Sequence, residues 1–173
     1  MKAIKTEYKG VYKLEPTVFD SKSEAVFART LDLAGIEWAY HVDHCDHNWD
    51  FLTWGHNWRP SILVEYKPKM PTNTYIHNLT EKMRDDPRES VIIWGNPWDG
   101  FDPEWPVPPP PCSYIVYPIF TKFGKFGWGN YIPLADHGWN EPFSTYHNMF
   151  GMFGIYEEIV QEAKNYRFDL VEA

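Results

Sequence analysis

The clearest pattern of hydrophobic and polar positions in this chain lies at 61–68, where apolar and charged side chains alternate. A period of two residues predicts a β-strand. One face of this strand carries Ile62, Val64 and Tyr66, and the other carries Leu63, Glu65 and Lys67. Two interpretations are open. Either this is an edge strand whose Glu65 and Lys67 face water, or it is a buried strand whose charges serve a metal-binding, catalytic site.

The segments around this strand predict a helix, three strands, a second helix and a further strand. Ser21 and Glu24 form a capping-box pattern, and the apolar stripe after them predicts a helix that ends at Gly35. The strands are predicted at 36–42, 49–54, 61–67 and 91–95, the second helix at about 72–84, and a polar turn at 43–48. The short turns favour an antiparallel meander, and the strand after the second helix should pair in parallel. The predicted fold is α/β, a mixed β-sheet flanked by helices.

The remaining segments carry weaker signals. Residues 1–18 are mildly basic and predict a solvated arm. Residues 96–111 are a loop whose four prolines, 108–111, favour a surface strap over a docking segment for a partner. The later predicted elements are a strand at 114–120, a basic and aromatic hairpin tip at 121–128 and a last helix at 145–166. We therefore predict a single domain over 1–173, with a core at about 19–97 and a C-terminal strand/helix extension at about 98–173.

Composition narrows the function classes. Hydrophobic residues make up 43% of the 173 residues, which is typical of a globular chain. The formal net charge of −8 argues against binding nucleic acid through a bulk positive field. It does not exclude a nuclease, because a bound cation reverses the sign of an acidic site. Two cysteines and the lack of a long apolar run predict a cytoplasmic protein without a disulfide framework and without a membrane partner.

Two carboxylates are expected to meet in the predicted meander. Asp50 lies on the strand before Glu65, and neighbouring strands are about 5 Å apart. The two acids could converge on one divalent cation, for which hard oxygen ligands favour Mg²⁺ or Mn²⁺. Lys67 lies on the same face as Glu65 and would point at the same water or phosphate oxygen. Glu24 either caps the first helix or reaches this site from the inward face of that helix.

Together these residues resemble the PD-(D/E)XK nuclease superfamily, and most of all its small phage and mobile-element members. The resemblance covers about 19–97. Its motifs are Ser21–Ala25 with the helix, Asp50, Val64–Pro68 and Val91–Pro97. It implies a restriction-endonuclease-like αβββαβ core. One departure is that Trp49, rather than a proline, precedes the first acid, which leaves Asp46 or Asp43 as alternatives to Asp50.

The resemblance implies Mg²⁺- or Mn²⁺-dependent hydrolysis of phosphodiester bonds by an endonuclease or exonuclease. Asp50 and Glu65 would hold the metal, with Glu24 as a further ligand, and Lys67 would orient the attacking water or stabilise the transition state. The implied partner is nucleic acid, most of all DNA, in the host cytoplasm if a phage encodes the protein. A homodimer or a protein partner is left open. Phosphate contacts are predicted at Lys69, Lys122 and Lys125.

Two rivals remain. His41, His44, Cys45 and His47 suggest zinc, but their spacing matches no closed tetrahedral pattern, so a polar turn is favoured. The second rival is a catalytically inactive, acidic, nuclease-like protein that binds a host or assembly protein, in part as a DNA mimic. Carboxylates on one outer face would favour this rival, and acids converging in a cleft would favour catalysis. No nucleophile motif or phosphate-binding glycine loop supports another enzyme class.

Overall fold

The computed structural model describes residues 3–54, 61–95, 117–129 and 157–172. The strands are β1 (Ile4–Tyr8), β2 (Thr17–Phe19), β3 (Glu37–His44), β4 (His47–Trp54), β5 (Ile62–Lys67), β6 (Glu89–Trp94), β7 (Tyr117–Thr121), β8 (Phe126–Gly129) and β9 (Asp169–Glu172). The helices are α1 (Lys22–Leu33), α2 (Asn73–Met83) and α3 (Glu157–Asn165). The predicted α/β class with a mixed sheet and flanking helices is confirmed.

Strand β5 lies inside a six-stranded sheet of order β3-β4-β5-β6-β7-β8. It pairs antiparallel with β4 and parallel with β6, as the connection lengths predicted. The edge-strand interpretation is therefore wrong, because β5 has a hydrogen-bonded neighbour on each side. Glu65 is 2% exposed, so its carboxylate is buried rather than turned to water.

The two faces of β5 pack against different layers. Ile62, Val64 and Tyr66 belong to a core cluster that includes the apolar residues of α1. Leu63 belongs to a second cluster with the predicted stripe of α2, Ile76, Leu79 and Met83. The predicted alternation is confirmed, and Glu65 and Lys67 lie on the Leu63 side of the sheet.

Helix α1 begins and ends as its sequence predicts. The Ser21 side chain accepts a hydrogen bond from the Glu24 backbone N–H at 3.2 Å. At the other end, Gly35 adopts a φ of +75°, a conformation that costs glycine little because it has no Cβ. The chain then turns back into β3. At the other end of the helix, Glu24 lies in the first turn.

The N-terminal segment was predicted as a solvated arm, and that prediction is wrong. Residues of β1 pair antiparallel with both β2 and β9 in a separate three-stranded sheet of order β2-β1-β9. Thr6 and Tyr8 are buried at alternate positions of β1. Tyr8 also donates a hydrogen bond to Asp32 of α1. The alternation was too short to predict a strand, and its partner β9 lies at the far end of the sequence.

The turn predicted at 43–48 is shorter than expected. Strands β3 and β4 continue to a His44–His47 pair, so the loop consists of two residues, Cys45 and Asp46. These residues have φ values of +50° and +55°, the left-handed pair that a two-residue hairpin of this kind requires. The polar composition of the segment hid its strand character, because charged and histidine side chains on exposed strand positions resemble a loop.

The C-terminal extension is described in part. Strand β7 overlaps the strand predicted at 114–120, and α3 lies within the predicted last helix. Strand β8 occupies part of the predicted hairpin tip and extends one residue beyond it. Residues 114–116 and 145–156 of those predictions lie outside the described residues, as do the connection at 55–60 and the proline-rich segment at 96–111.

Candidate active site

Asp50 lies where strands β4 and β5 stop pairing. The ladder between them ends at Phe51 and Val64, although both strands continue. In that register Asp50 and Glu65 would be the next opposed pair. Instead of a strand carbonyl, the Asp50 carboxylate accepts the Tyr66 backbone N–H, with Oδ2 at 2.8 Å. The two predicted acids are therefore brought to one opening between neighbouring strands.

The alternatives to Asp50 lie elsewhere. Asp43 is exposed and accepts a hydrogen bond from the Asn48 side chain at 2.8 Å. Asp46 is exposed at the hairpin turn, where its backbone carbonyl accepts a hydrogen bond from Lys82 at 2.9 Å. Asp50 is 9% exposed, and the β4–β5 register, if continued one residue past the Phe51–Val64 pair, would bring it opposite Glu65.

Glu65 is surrounded by hydrogen-bond donors. Its Oε1 lies 2.7 Å from the Lys67 ammonium and accepts the Tyr75 hydroxyl at 2.6 Å. Its Oε2 lies 3.0 Å from Nε2 of His47. Burial alone would raise the pKa of Glu65, but these hydrogen bonds outweigh burial and hold that pKa below its usual range. Glu65 is thus an ionised carboxylate inside the protein.

Asp50 has the opposite electrostatic character. Burial and the negative charge of Glu65 raise the pKa of Asp50 to about 7, against the lowering effects of the Tyr66 N–H and Lys67. Two buried carboxylates that face each other cannot both ionise cheaply without a cation. Asp50 therefore holds a proton at a pH where an ordinary aspartate does not.

Lys67 and Glu24 also interact electrostatically with the acids of this site. Burial would lower the pKa of Lys67, but Glu65, then Asp50 and Glu24, raise it above its usual range, so the ammonium stays charged. Burial is also the main cause that raises the pKa of Glu24, which is 8% exposed. Glu24 Oε2 accepts a hydrogen bond from the Ser21 hydroxyl at 2.7 Å. The helix-capping interpretation of Glu24 is confirmed, and the same residue interacts with the charges of the sheet.

The oxygen ligands suit a hard divalent cation, but Asp50, Glu65 and Glu24 do not form a closed set. Among the described residues, the three ligand side chains whose atoms all lie within 4.8 Å of one another are His44, Cys45 and Asp86. The charges of Glu65 and Glu24 both act on Asp50, but the ligand atoms of these three acids do not all lie within that distance of one another.

The three predicted phosphate-contact lysines differ in their surroundings. Lys69, just after β5, and Lys125, in the β7–β8 turn, are exposed. Lys122 is buried, and its ammonium donates a hydrogen bond to the Asp86 backbone carbonyl. Lys122 therefore has a protein partner, while the other two lysines are exposed and can reach a phosphate backbone.

Two residues of the site, His47 and Tyr75, are not among those that the sequence predicts for the nuclease site. His47 is named there as a rival zinc ligand in a polar turn, and Tyr75 lies beside the apolar stripe of α2. His47 begins β4, the strand beside β5, and Tyr75 lies in the first turn of α2, so they reach Glu65 from two different elements. A histidine directly after a hairpin turn is a weak signal for this role, and Tyr75 carries none. The indole Nε1 of Trp94, the parallel neighbour of Lys67, is buried without a hydrogen-bond partner.

No protein-family profile, curated protein or solved structure matches this chain. Within the described residues, none of the helices has the length and apolar character needed to cross a bilayer.

Proposed function

We propose that this protein is a metal-dependent nuclease that hydrolyses phosphodiester bonds, most of all in DNA. The observation that carries the proposal is the pair of buried, mutually repelling carboxylates, Asp50 and Glu65, with the charged Lys67 at 2.7 Å from Glu65. The order helix, three strands, helix, strand from α1 to β6 supports a restriction-endonuclease-like core of the PD-(D/E)XK type. The burial of the acids favours catalysis over an outer acidic surface.

In this proposal Asp50 and Glu65 hold Mg²⁺ or Mn²⁺. The bound cation lowers the pKa of a coordinated water and neutralises charge on the phosphate. Asp50 gives up its proton when the cation binds, because the positive charge removes its repulsion from Glu65. Lys67 keeps its proton and donates a hydrogen bond to the attacking water or to a phosphate oxygen. Glu24 holds a water molecule on the α1 side of the site.

The proposal is tested with purified protein on supercoiled plasmid, linear duplex DNA, single-stranded DNA and RNA, each with Mg²⁺ or Mn²⁺. We expect cleavage by the native protein. Glu65→Gln and Lys67→Ala should lower the rate by at least about 100-fold, since each removes a group that stabilises developing charge. Circular dichroism of each variant checks that the fold is retained.

Two matched variants serve as controls. Glu89→Gln changes an acid at the start of β6, opposite Ile62 and about 10 Å along the sheet from the position that pairs with Glu65. Lys9→Ala changes an exposed lysine after β1. Both should cleave at the native rate. A native protein that cuts none of these substrates with either metal would refute the catalytic proposal.

A second candidate function is supported by one observation. Both oxygens of Glu65 already have hydrogen-bond partners, from Lys67, Tyr75 and His47. Such a site would also suit a non-catalytic nuclease-like protein that binds a host or assembly protein. Calorimetry with Mn²⁺ separates the two: binding that Asp50→Asn weakens favours the nuclease, and the lack of both binding and cleavage favours the non-catalytic protein.

A further inference from the structure

A second group of metal-ligating side chains lies at the tip of the β3–β4 hairpin, where it meets the connection between α2 and β6. His44 Nε2 lies 3.0 Å from Asp86 Oδ2, and Cys45 Sγ lies 3.4 Å from the same oxygen. The three ligand atoms are all within 4.8 Å of one another. A nitrogen, a sulfur and an oxygen ligand therefore converge at one point.

We propose that His44, Cys45 and Asp86 bind a zinc ion, with a fourth coordination position open to water. Zinc accepts imidazole, thiolate and carboxylate ligands in tetrahedral geometry, whereas Mg²⁺ and Ca²⁺ prefer oxygen alone. This site is distinct from the opposed pair of Asp50 and Glu65, and it does not depend on the proposed nuclease activity.

The spacing of the ligand atoms is close to what zinc requires. Bonds of about 2.0–2.3 Å in a tetrahedron place neighbouring ligand atoms about 3.3–3.8 Å apart. The two contacts of Asp86 Oδ2 are 3.0 and 3.4 Å, so small side-chain rotations would admit the ion. Zinc would replace the hydrogen of the Cys45 thiol, which leaves as a proton to solvent, and the ion would bind His44 as the neutral imidazole.

Two of the ligand residues, Asp86 and His44, are held by contacts that do not involve their metal-binding atoms. Asp86 Oδ1 accepts the Arg88 N–H at 2.8 Å, and the Asp86 carbonyl accepts the Lys122 ammonium. The His44 carbonyl accepts the Trp49 indole N–H at 3.2 Å. Such outer contacts orient ligands before the metal arrives. All three ligand residues are partly exposed, which gives the ion a path from solvent.

The structure divides the three histidines of the rival zinc group, His41, His44 and His47, between different partners. His41 lies 3.3 Å from Asp20, and His47 contacts Glu65. His44 and Cys45 remain, and their third partner is Asp86, an acid far along the sequence. Zinc spacing rules could not predict this set, because they rely on pairs of ligands close in sequence.

The test is a titration of metal-free protein with Co²⁺, followed by competition with Zn²⁺. We expect one thiolate-bound Co²⁺ per chain, measured by the saturation of a near-ultraviolet charge-transfer band from the cobalt–thiolate bond, and loss of that band when zinc displaces cobalt. Cys45→Ser should abolish the band, and Asp86→Asn should weaken zinc binding by at least about 10-fold. Asn at position 86 keeps the acceptor for Arg88 N–H, so the connection stays folded.

The controls are chosen from neighbours of the ligands. Asp85→Asn changes the adjacent acid, and Glu65→Gln changes the proposed nuclease site, so both should bind zinc as the native protein does. Cys112→Ser changes the other cysteine of the chain and should keep the band. The zinc site would be refuted if the native protein gave no thiolate band, or if the band survived in Cys45→Ser, and the first result does not require any variant to fold.

Discussion

Two buried aspartates, Asp32 and Asp50, have very different surroundings. Asp32 lies in α1 beneath the three-stranded sheet and accepts three hydrogen bonds, from the Tyr8 hydroxyl, the Val11 backbone N–H at 3.1 Å and the Trp38 indole at 2.9 Å. Asp50 accepts the Tyr66 N–H, and it faces a second carboxylate, Glu65. Burial is similar for both, so the neighbours determine what each acid does.

This comparison separates two uses of a buried charge. A carboxylate that is surrounded by donors joins elements of structure, as Asp32 joins β1, α1 and β3. A carboxylate that faces a like charge destabilises the fold until a proton or a cation neutralises it. Buried carboxylates that destabilise the fold in this way occur at functional sites more often than elsewhere. The same criterion can be applied to any buried acid in an unfamiliar protein.

The largest predicted effect is on stability at Asp32. Asp32→Ala leaves two buried donors and one partly buried donor without an acceptor. Each buried donor costs about 1–3 kcal/mol, so we expect a loss on the order of 5 kcal/mol in the free energy of unfolding. Urea unfolding at pH 7 measures it. Asp43→Ala, on the exposed face of β3, is the control and should change stability by less than about 1 kcal/mol. A loss for Asp32→Ala no larger than that of the control would contradict its structural role.

The next largest effect is a gain rather than a loss in the free energy of unfolding, and it depends on pH. The folded protein binds the Asp50 proton more tightly than the unfolded chain does, because the pKa of Asp50 rises from 3.8 to about 7. Stability from this group is therefore lost as pH rises through that interval. Asp50→Asn should stabilise the protein at pH 8, by at most about 4 kcal/mol, and by far less at pH 4.

Unfolding of the native protein and of Asp50→Asn at several pH values measures this difference. Saturating Mn²⁺ at pH 8 should stabilise the native protein and reduce its gap to the variant. Asp43→Asn provides a matched control without a buried carboxylate. If Asp50→Asn lowered stability equally at pH 4 and pH 8, Asp50 would be a structural acid like Asp32.

The smallest predicted effect comes from a comparison of Tyr8, which donates a hydrogen bond to Asp32, with Tyr75, which donates one to Glu65. Tyr8→Phe removes a donor to Asp32 and should lower the free energy of unfolding by about 1–2 kcal/mol. Tyr75→Phe removes a donor to Glu65, which keeps Lys67 as a partner, so the loss should be below about 1 kcal/mol. Instead, the Mn²⁺ concentration for half-maximal cleavage should rise by about 10-fold, as when a partner of a metal ligand is lost. Equal stability losses without a change in metal dependence would remove the distinction.

Local patterns predicted most of the central fold. The structure confirms three local patterns: the alternation in β5, the Ser21–Glu24 cap of α1 and the apolar stripe of α2. Each pattern depends only on residues that are close together in the sequence. Connection lengths were enough to predict the direction of β6. The antiparallel pairing of β4 with β5 also followed from the short connection predicted between them.

Distant partners could not be predicted in this way. Strand β1 pairs with β9, Asp86 reaches His44 and Cys45, and Tyr75 reaches Glu65 across a crossover. In each case the contact depends on how whole helices and strands pack together. The periodicity of hydrophobic positions within one element does not predict that packing. The shape of the β3–β4 turn was also missed, because its Cys45–Asp46 loop lacks the glycine or asparagine that usually marks such a turn.

The pairing of β1 with β9 has a consequence for the kinetics of folding. Ile4 lies opposite Glu172, so this ladder closes a loop of nearly the whole chain, whereas β3 and β4 pair across two residues. Closing a long loop costs entropy before its contacts form. We therefore expect the β3–β4 hairpin to form early and the β1–β9 ladder, which completes the three-stranded sheet, to form last.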